Sequence, residues 1–118
     1  DSLPDLFHSL CLEPRERAAA DYLRGMGASG LGVEAAARTA AVLSTGAEGA
    51  IPLKEGYAAA MAAQNTSYAC VEKNIRSMVG KLQAGACGEY QALMGGLPAE
   101  RPSNELFLRR LARRILEW

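Results

Sequence analysis

Two basic side chains, Lys73 and Arg76, lie in a segment where helical spacing would expose them. On a helix they share one side with the small residues Ala69, Ser77 and Gly80. Lysine and arginine donate hydrogen bonds to DNA bases and phosphates, and small neighbours permit a helix to enter the major groove closely. This side therefore predicts DNA contact. Spacing alone also fits an ordinary helical hairpin with a solvated outer face, which is the commoner structure.

The segment around these residues predicts two short helices joined by a turn. Apolar residues on the inner side of the second helix recur at helical spacing. They are Val71, Ile75, Met78, Val79 and Leu82. Leu53, Tyr57 and Met61 mark the apolar side of the first helix. The Asn65-Thr66-Ser67 triplet offers turn and N-cap residues. We therefore predict a helix-turn-helix over about residues 53–83. Its helices should span about 53–64 and 67–83.

The rest of the chain is also helical in its periodicity and has no alternating run of β-branched residues. We predict an all-α bundle of about six or seven helices in one domain, residues 1–118. The other helices should span about 3–12, 14–26, 33–44, 88–94 and 104–117. Glu13-Pro14 should separate the first two, because proline favours the first turn of a helix. The last helix carries an apolar stripe expected to face the core or a partner. Its members are Leu106, Phe107, Leu111, Ile115 and Trp118.

Charge is balanced overall but not along the chain. Thirteen Lys and Arg match thirteen Asp and Glu, unlike a strongly basic nucleic-acid binder. Residues 1–65 hold five basic and eight acidic side chains, and residues 66–118 hold eight basic and five acidic. The predicted DNA-contacting helix thus lies in the positive half. Four arginines near the C-terminus fit either interaction with the helix dipole and nearby glutamates or contact with phosphates or an acidic partner. They are Arg109, Arg110, Arg113 and Arg114.

Several function classes lack the residues that they require. Three cysteines and one histidine, without the close pairing of a zinc site, predict reduced thiols and no metal. No acid, base and nucleophile cluster together, so we expect neither enzyme activity nor a cofactor. No signal peptide or membrane span is recognisable, which predicts a cytoplasmic protein without membrane contact. Because the sequence begins with Asp1, we expect an excised domain or a processed product.

Residues 65–79, NTSYACVEKNIRSMV, resemble a DNA-recognition segment of the stage-zero sporulation response regulator family. That segment of the family reads roughly NTTxSRVERAIRxAI. The identical positions are Asn65, Thr66, Val71, Glu72, Ile75 and Arg76. Lys73 conservatively replaces an arginine, whereas Cys70 stands where the family usually has an arginine that contacts DNA. Loss of that donor could remove about 1–3 kcal/mol of base discrimination.

A second match lies near the C-terminus, in the order that the family has and at a plausible separation from the first. ERPSNELFLRRLARRI resembles the family pattern G-[KR]-P-[TS]-N-x-x-F-I-x-x-[IVL]-A-[DR]-K. The positions in register are Pro102, Ser103, Asn104, Phe107 and Ala112. The resemblance covers about residues 27–116 and is most specific in these two motifs. It implies an all-helical, DNA-binding effector domain of a two-component response regulator, whose receiver domain would lie elsewhere in a longer protein.

The resemblance also implies roles for individual residues. Glu72, Lys73 and Arg76 would contact base edges, and Thr66 and Ser67 would lie near backbone phosphates. Lys81 is expected to add a contact that does not depend on sequence. The implied partner is double-stranded DNA, with a homodimer on DNA and contact with RNA polymerase left open.

The sequence thus predicts a sequence-specific transcription regulator of sporulation-related genes. The alternative is a protein-interaction module of the same fold that has lost specific DNA binding. Zero net charge and Cys70 favour that alternative.

Overall fold

Six helices make up the part of the chain that the computed structural model describes, residues 2–47 and 49–118, with side chains from residue 13 onward. They are α1 (Ser2–Gly25), α2 (Leu31–Leu43), α3 (Leu53–Gln64), α4 (Tyr68–Gly85), α5 (Gly88–Met94) and α6 (Asn104–Leu116). No strand occurs in these ranges, which confirms the all-α prediction. None of the described helices combines the length and the apolar character needed to cross a membrane.

The fold is built around α2, which is the most completely buried helix. Nearly every side of this helix carries alanine or Val33, as in a helix enclosed by its neighbours. The helices α1, α3, α4 and α6 all pack against it. The larger side chains that fill the surrounding core come mainly from those helices. The largest fully buried ones outside α2 are Leu23, Tyr57, Val71, Ile75, Val79, Tyr90, Phe107, Leu108 and Leu111. Burial of each leucine, valine, isoleucine or phenylalanine contributes about 1.5–3 kcal/mol.

Two glycines allow α2 to approach its neighbours closely. A methyl group at Gly32 would lie 2.5 Å from the Asn74 carbonyl oxygen of α4. A methyl group at Gly56 of α3 would lie 2.7 Å from Thr39 Cγ2 of α2. Thr39 is fully buried, and its hydroxyl donates a hydrogen bond of 3.3 Å to the Gly56 carbonyl oxygen. The separation of α2 from both helices is therefore set by the absence of side chains at these two points.

The N-terminal helix corrects the prediction of a break at Glu13-Pro14. α1 continues from Ser2 to Gly25 with Pro14 inside it. Proline removes one helical hydrogen bond and crowds the preceding turn, at a cost of about 3 kcal/mol, but its φ of about −65° is compatible with a helix. Beyond Pro14, Ala19 and Leu23 are fully buried, and Arg15 donates to the Ser44 carbonyl oxygen at 3.2 Å. These contacts secure the C-terminal half of α1 against α2.

The C-terminal helix packs largely as predicted, with one correction. Phe107, Leu111 and Ile115 are buried. Leu106, however, is 47% exposed, and Leu108 is fully buried in its place. The reason is geometric, since five residues separate Leu106 from Leu111 and place them about 140° apart around the helix. The predicted stripe therefore included one residue from the opposite side. Trp118 is also half exposed, and its ring packs edge-to-face with that of Tyr22 at 5.2 Å between ring centroids.

Alanine at the two close-packed glycines should destabilise the protein. We expect Gly32→Ala and Gly56→Ala each to lower the free energy of unfolding by about 1–3 kcal/mol, because helices must move to admit the methyl group. Urea denaturation followed by circular dichroism measures this change. Gly88→Ala is the matched control, since no atom would lie within 4 Å of its methyl group. Wild-type stability in both core variants would contradict the close approach of α2.

Candidate nucleic-acid interface

The segment predicted to contact DNA forms two consecutive helices with a three-residue connection. α3 ends at Gln64, and Asn65 adopts the left-handed conformation with φ of 50°. Ser67 then caps α4, because its hydroxyl accepts the Cys70 N–H at 3.2 Å. The turn and the cap are thus where the sequence predicted them. This order of elements is the one that a helix-turn-helix requires, and simple helical hairpins share it.

The inner side of α4 is anchored throughout its length. Its buried residues are Val71, Ile75, Met78, Val79 and Leu82, as predicted. On the outer side, Lys73, Arg76 and Ser77 are exposed, together with Ala69 and Cys70. At about 100° per residue, Glu72, Lys73 and Arg76 lie within an arc of about 100°. The helix therefore presents a polar surface with small neighbours while its apolar side stays in the core.

Arg76 is engaged by a carboxylate within the same helix. Its Nη1 donates to both Glu72 carboxylate oxygens, at 2.6 and 2.8 Å. The two side chains are 45% and 32% exposed, so solvent screens the pair. Lys73 forms no salt bridge with the described carboxylates. Of the three residues expected to read bases, Lys73 thus has an available charge, whereas the charges of Glu72 and Arg76 neutralise each other.

The two residues expected near phosphates serve the turn. Thr66 is half-buried, and its N–H donates to the Met61 carbonyl oxygen at 3.1 Å. Ser67 is exposed and is committed to the cap of α4. Hydrogen bonding by the side chains of Ser67 and Thr66 lowers the pKa of the exposed Cys70 thiol. The first turn of α4 therefore stabilises negative charge at the position where the family usually has arginine.

Lys81 lies apart from the other predicted residues, at the edge of a cleft of about 370 Å³. Residues 27–30 of the loop before α2, with Leu31 and Gly32 of its first turn, form one wall, and Ser77 and Lys81 of α4 form the other. α2 begins after Gly30, whose φ is 85°, and no side chain caps it. Its first N–H groups are therefore left without side-chain partners at the positive end of the helix dipole. Backbone N–H groups beside a lysine suit a phosphate.

Helical periodicity does not predict this cleft, because one wall is the glycine-rich turn between α1 and α2. Residues 25–30 read GMGASG, which has the glycine spacing of a nucleotide-binding loop. That motif requires a preceding strand, whereas these glycines follow α1. The signal indicates a backbone-lined concavity and does not indicate a dinucleotide site.

A further contact absent from the predictions links three helices behind the polar surface. Asn104 Nδ2 donates to the Glu72 carbonyl oxygen of α4 at 3.0 Å and to the Tyr57 hydroxyl of α3 at 3.2 Å. Gln83 Nε2 donates to the Pro98 carbonyl oxygen at 2.6 Å. The connection from Pro98 to Asn104 therefore runs beside α4 in the opposite direction. It ties both ends of the polar helix to the rest of the bundle.

The described residues include no group of three or more His, Cys, Asp or Glu that could hold a metal ion. Cys70 and Cys87 are free thiols, and the side chain of Cys11 lies outside the described residues. Comparisons with protein-family models, curated proteins and solved structures find no match to this chain. The resemblance to the sporulation response regulator family therefore rests on the two sequence motifs alone.

Removal of the Asn104 amide should weaken the attachment of α4. We expect Asn104→Ala to lower the free energy of unfolding by about 1–3 kcal/mol, because two hydrogen bonds are lost. Tyr57→Phe removes one acceptor and should cost about 0.5–1.5 kcal/mol. If the bond is real, the double variant should lose less than the sum of the two single variants in urea denaturation. Strict additivity would exclude the Asn104–Tyr57 contact.

The thiol of Cys70 should ionise at lower pH than an ordinary exposed thiol. Its pKa is lowered by hydrogen bonds from the side chains of Ser67 and Thr66, and the thiolate is the reactive form. Iodoacetamide should therefore modify the exposed Cys70 faster than the half-buried Cys87, and the pH midpoint of the Cys70 rate should lie below that of an ordinary thiol. Mass spectrometry of peptides across pH measures both rates. Ser67→Ala should move the Cys70 midpoint upward, and a Cys70 midpoint at the ordinary value would refute the interpretation.

Proposed function

We propose that this chain is a sequence-specific DNA-binding effector domain of the stage-zero sporulation response regulator family. The observation that carries the proposal is the way α4 divides the residues of the first motif. Val71 and Ile75 are fully buried, whereas Lys73 and Arg76 lie on the exposed side with Glu72 beside them. Residues shared with the family thus include both those that hold the helix and those that a DNA-reading helix must present.

In the proposed mechanism, α4 enters the major groove and Arg76 exchanges its intrahelical partner for a base. A solvated salt bridge such as Glu72–Arg76 contributes about 0–1 kcal/mol. A bidentate arginine–guanine contact contributes about 1–3 kcal/mol of discrimination. The exchange is therefore favourable, and Glu72 becomes available to accept a hydrogen bond from cytosine. Lys73 supplies a second donor from the same surface.

The cleft beside α2 complements this contact by holding a backbone phosphate. Lys81 and the first N–H groups of α2 provide one positive side chain and one helix dipole. Such contacts fix the position of a protein on the duplex without reading its sequence. The proposal therefore assigns discrimination to Arg76, Lys73 and Glu72, and it assigns affinity to Lys81. Thr66 and Ser67 would approach the phosphates at the start of α4.

The wider role follows from the family relationship alone. We propose that the chain regulates transcription of sporulation-related genes in the cytoplasm, as the effector domain of a two-component response regulator. Double-stranded DNA is the proposed direct partner, and a homodimer on DNA and contact with RNA polymerase stay open.

A second function is favoured by two specific observations. The Glu72 carboxylate neutralises Arg76, and Cys70, with its lowered pKa, replaces an arginine that contacts DNA in the family. A module of the same fold that binds proteins and no longer selects DNA sequences accounts for both.

One experiment separates these functions. The chain is incubated with random-sequence DNA duplexes, and bound duplexes are sequenced at two salt concentrations. Enrichment of a common motif supports the proposed regulator. Binding that falls with salt without enrichment indicates contact with phosphates alone, and absence of binding favours the protein-interaction module.

Substitutions on α4 should separate base reading from phosphate binding. We expect Arg76→Ala to reduce binding to the selected motif about tenfold or more, while thermal stability changes little because only a solvated pair is lost. Lys81→Ala should weaken binding to all sequences alike and reduce the salt slope by about 1. Lys54→Ala, on the exposed side of α3, is the matched control for loss of charge. Undiminished specific binding by Arg76→Ala would exclude α4 as the reading helix.

A further inference from the structure

The outward side of α6 combines exposed leucines with arginines. Leu106 and Leu116 are 47% and 53% exposed. At about 100° and 1.5 Å per residue, they lie about 80° and 15 Å apart, near opposite ends of one surface. Arg110 and Arg113 lie between them along the helix axis and are also exposed. The fully buried residues of α6 are Phe107, Leu108 and Leu111, so about half of each exposed leucine remains available to a partner.

The arginines on this surface differ in their partners. Arg109 and Arg114 pair with glutamates of their own helix or its C-cap, at 3.2 and 3.4 Å. Arg110 and Arg113 form no salt bridge with the carboxylates that the structure describes. Together with Arg114 and Glu117 they line a recess of about 220 Å³ against α5. Three arginines against one glutamate leave this recess positively charged, at positions along the helix axis between the two leucines.

We propose that this surface binds an acidic amphipathic segment of another protein. The segment would carry carboxylates facing Arg110 and Arg113. Two apolar residues about three helical turns apart, one on each side of the carboxylates, would contact Leu106 and Leu116. The planar guanidinium group binds carboxylates with two parallel hydrogen bonds, and arginine is enriched at the centres of protein interfaces. Complementary charge would position the segment, and burial of leucine would add affinity.

Other occupants fit the surface less well. DNA phosphates would bind the arginines but would leave both leucines without apolar partners. A second copy placed symmetrically would oppose the same arginines to each other, because a two-fold interface pairs identical surfaces. The surface also belongs to a different helix from the one proposed to read DNA, so this inference does not depend on DNA binding.

A synthetic peptide tests the proposal directly. The probe is a labelled helical peptide of about four turns, with leucines in its first and last turns and glutamates at intervals of three and four residues between them. Two matched peptides replace the glutamates by glutamine or the leucines by alanine. Binding is measured by fluorescence anisotropy. Trp118, the only tryptophan in the sequence, is close in the chain to Leu116 and gives a second readout by its emission.

The acidic peptide should bind, and each matched peptide should bind more weakly. The double variant Arg110→Gln, Arg113→Gln should lose about tenfold or more in affinity, since two charge-assisted contacts disappear. Arg17→Gln with Lys54→Gln removes the same charge from exposed positions on α1 and α3 and should bind the peptide as the wild type does. Leu106→Ala with Leu116→Ala should also weaken binding, and thermal denaturation should show that all variants fold.

Three results would overturn the proposal. Equal affinity for the glutamine and glutamate peptides would show that binding does not depend on the negative charge of the peptide. Wild-type affinity in the Arg110→Gln, Arg113→Gln variant would place the site elsewhere. Displacement of the peptide by random-sequence duplex DNA, with loss of DNA binding in the arginine variant, would identify the surface as a phosphate contact.

Discussion

The fold depends on how closely four helices can approach α2. Alanine dominates this helix, so its surface is smooth and its own side chains contribute little burial. Stability must then come from large residues on the neighbouring helices, and these reach one another only if α2 occupies little volume. Gly32, Thr39 and Gly56 lie at the closest contacts. The small residues of α2 therefore determine where the large apolar side chains of the neighbouring helices can pack against one another.

This constraint extends to the proposed DNA-reading helix. Gly32 brings the first turn of α2 against Asn74 and Met78 of α4, which fixes α4 from behind and forms the cleft that contains Lys81. On the other side, Asn104 joins α4 to α3 through two hydrogen bonds. The polar side of α4 is thus held in place by contacts with α2 and Asn104, as the proposed role in reading base pairs requires. The residues that position α4 therefore differ from those proposed to contact DNA, and only the latter lie on the surface.

Charge is distributed so that two helices present different binding chemistry. α4 combines cations with small residues and one carboxylate, a composition that suits the proposed contact with a DNA major groove. α6 combines leucines with Arg110 and Arg113, which pair with none of the described carboxylates, and this suits the proposed protein segment. Zero net charge is therefore a poor guide to partners for this chain. The local arrangement of partners decides which cations are available, since Glu72 holds Arg76 while Lys73 has no such neighbour among the described carboxylates.

Local periodicity and capping residues determined the helices from Leu31 onward to within two residues, because spacing and caps act over a few positions. They also determined which residues of α4 face inward. They failed at Pro14, where a local rule for proline is outweighed by a continuous helix whose C-terminal half packs on the core, and at Leu106, where a stripe of leucines lay on both sides of α6. The Asn104 link and the cleft at Lys81 arise between residues 30 or more positions apart in the chain. Only tertiary packing decided these contacts, because no local pattern encodes the distance between helices that meet around α2.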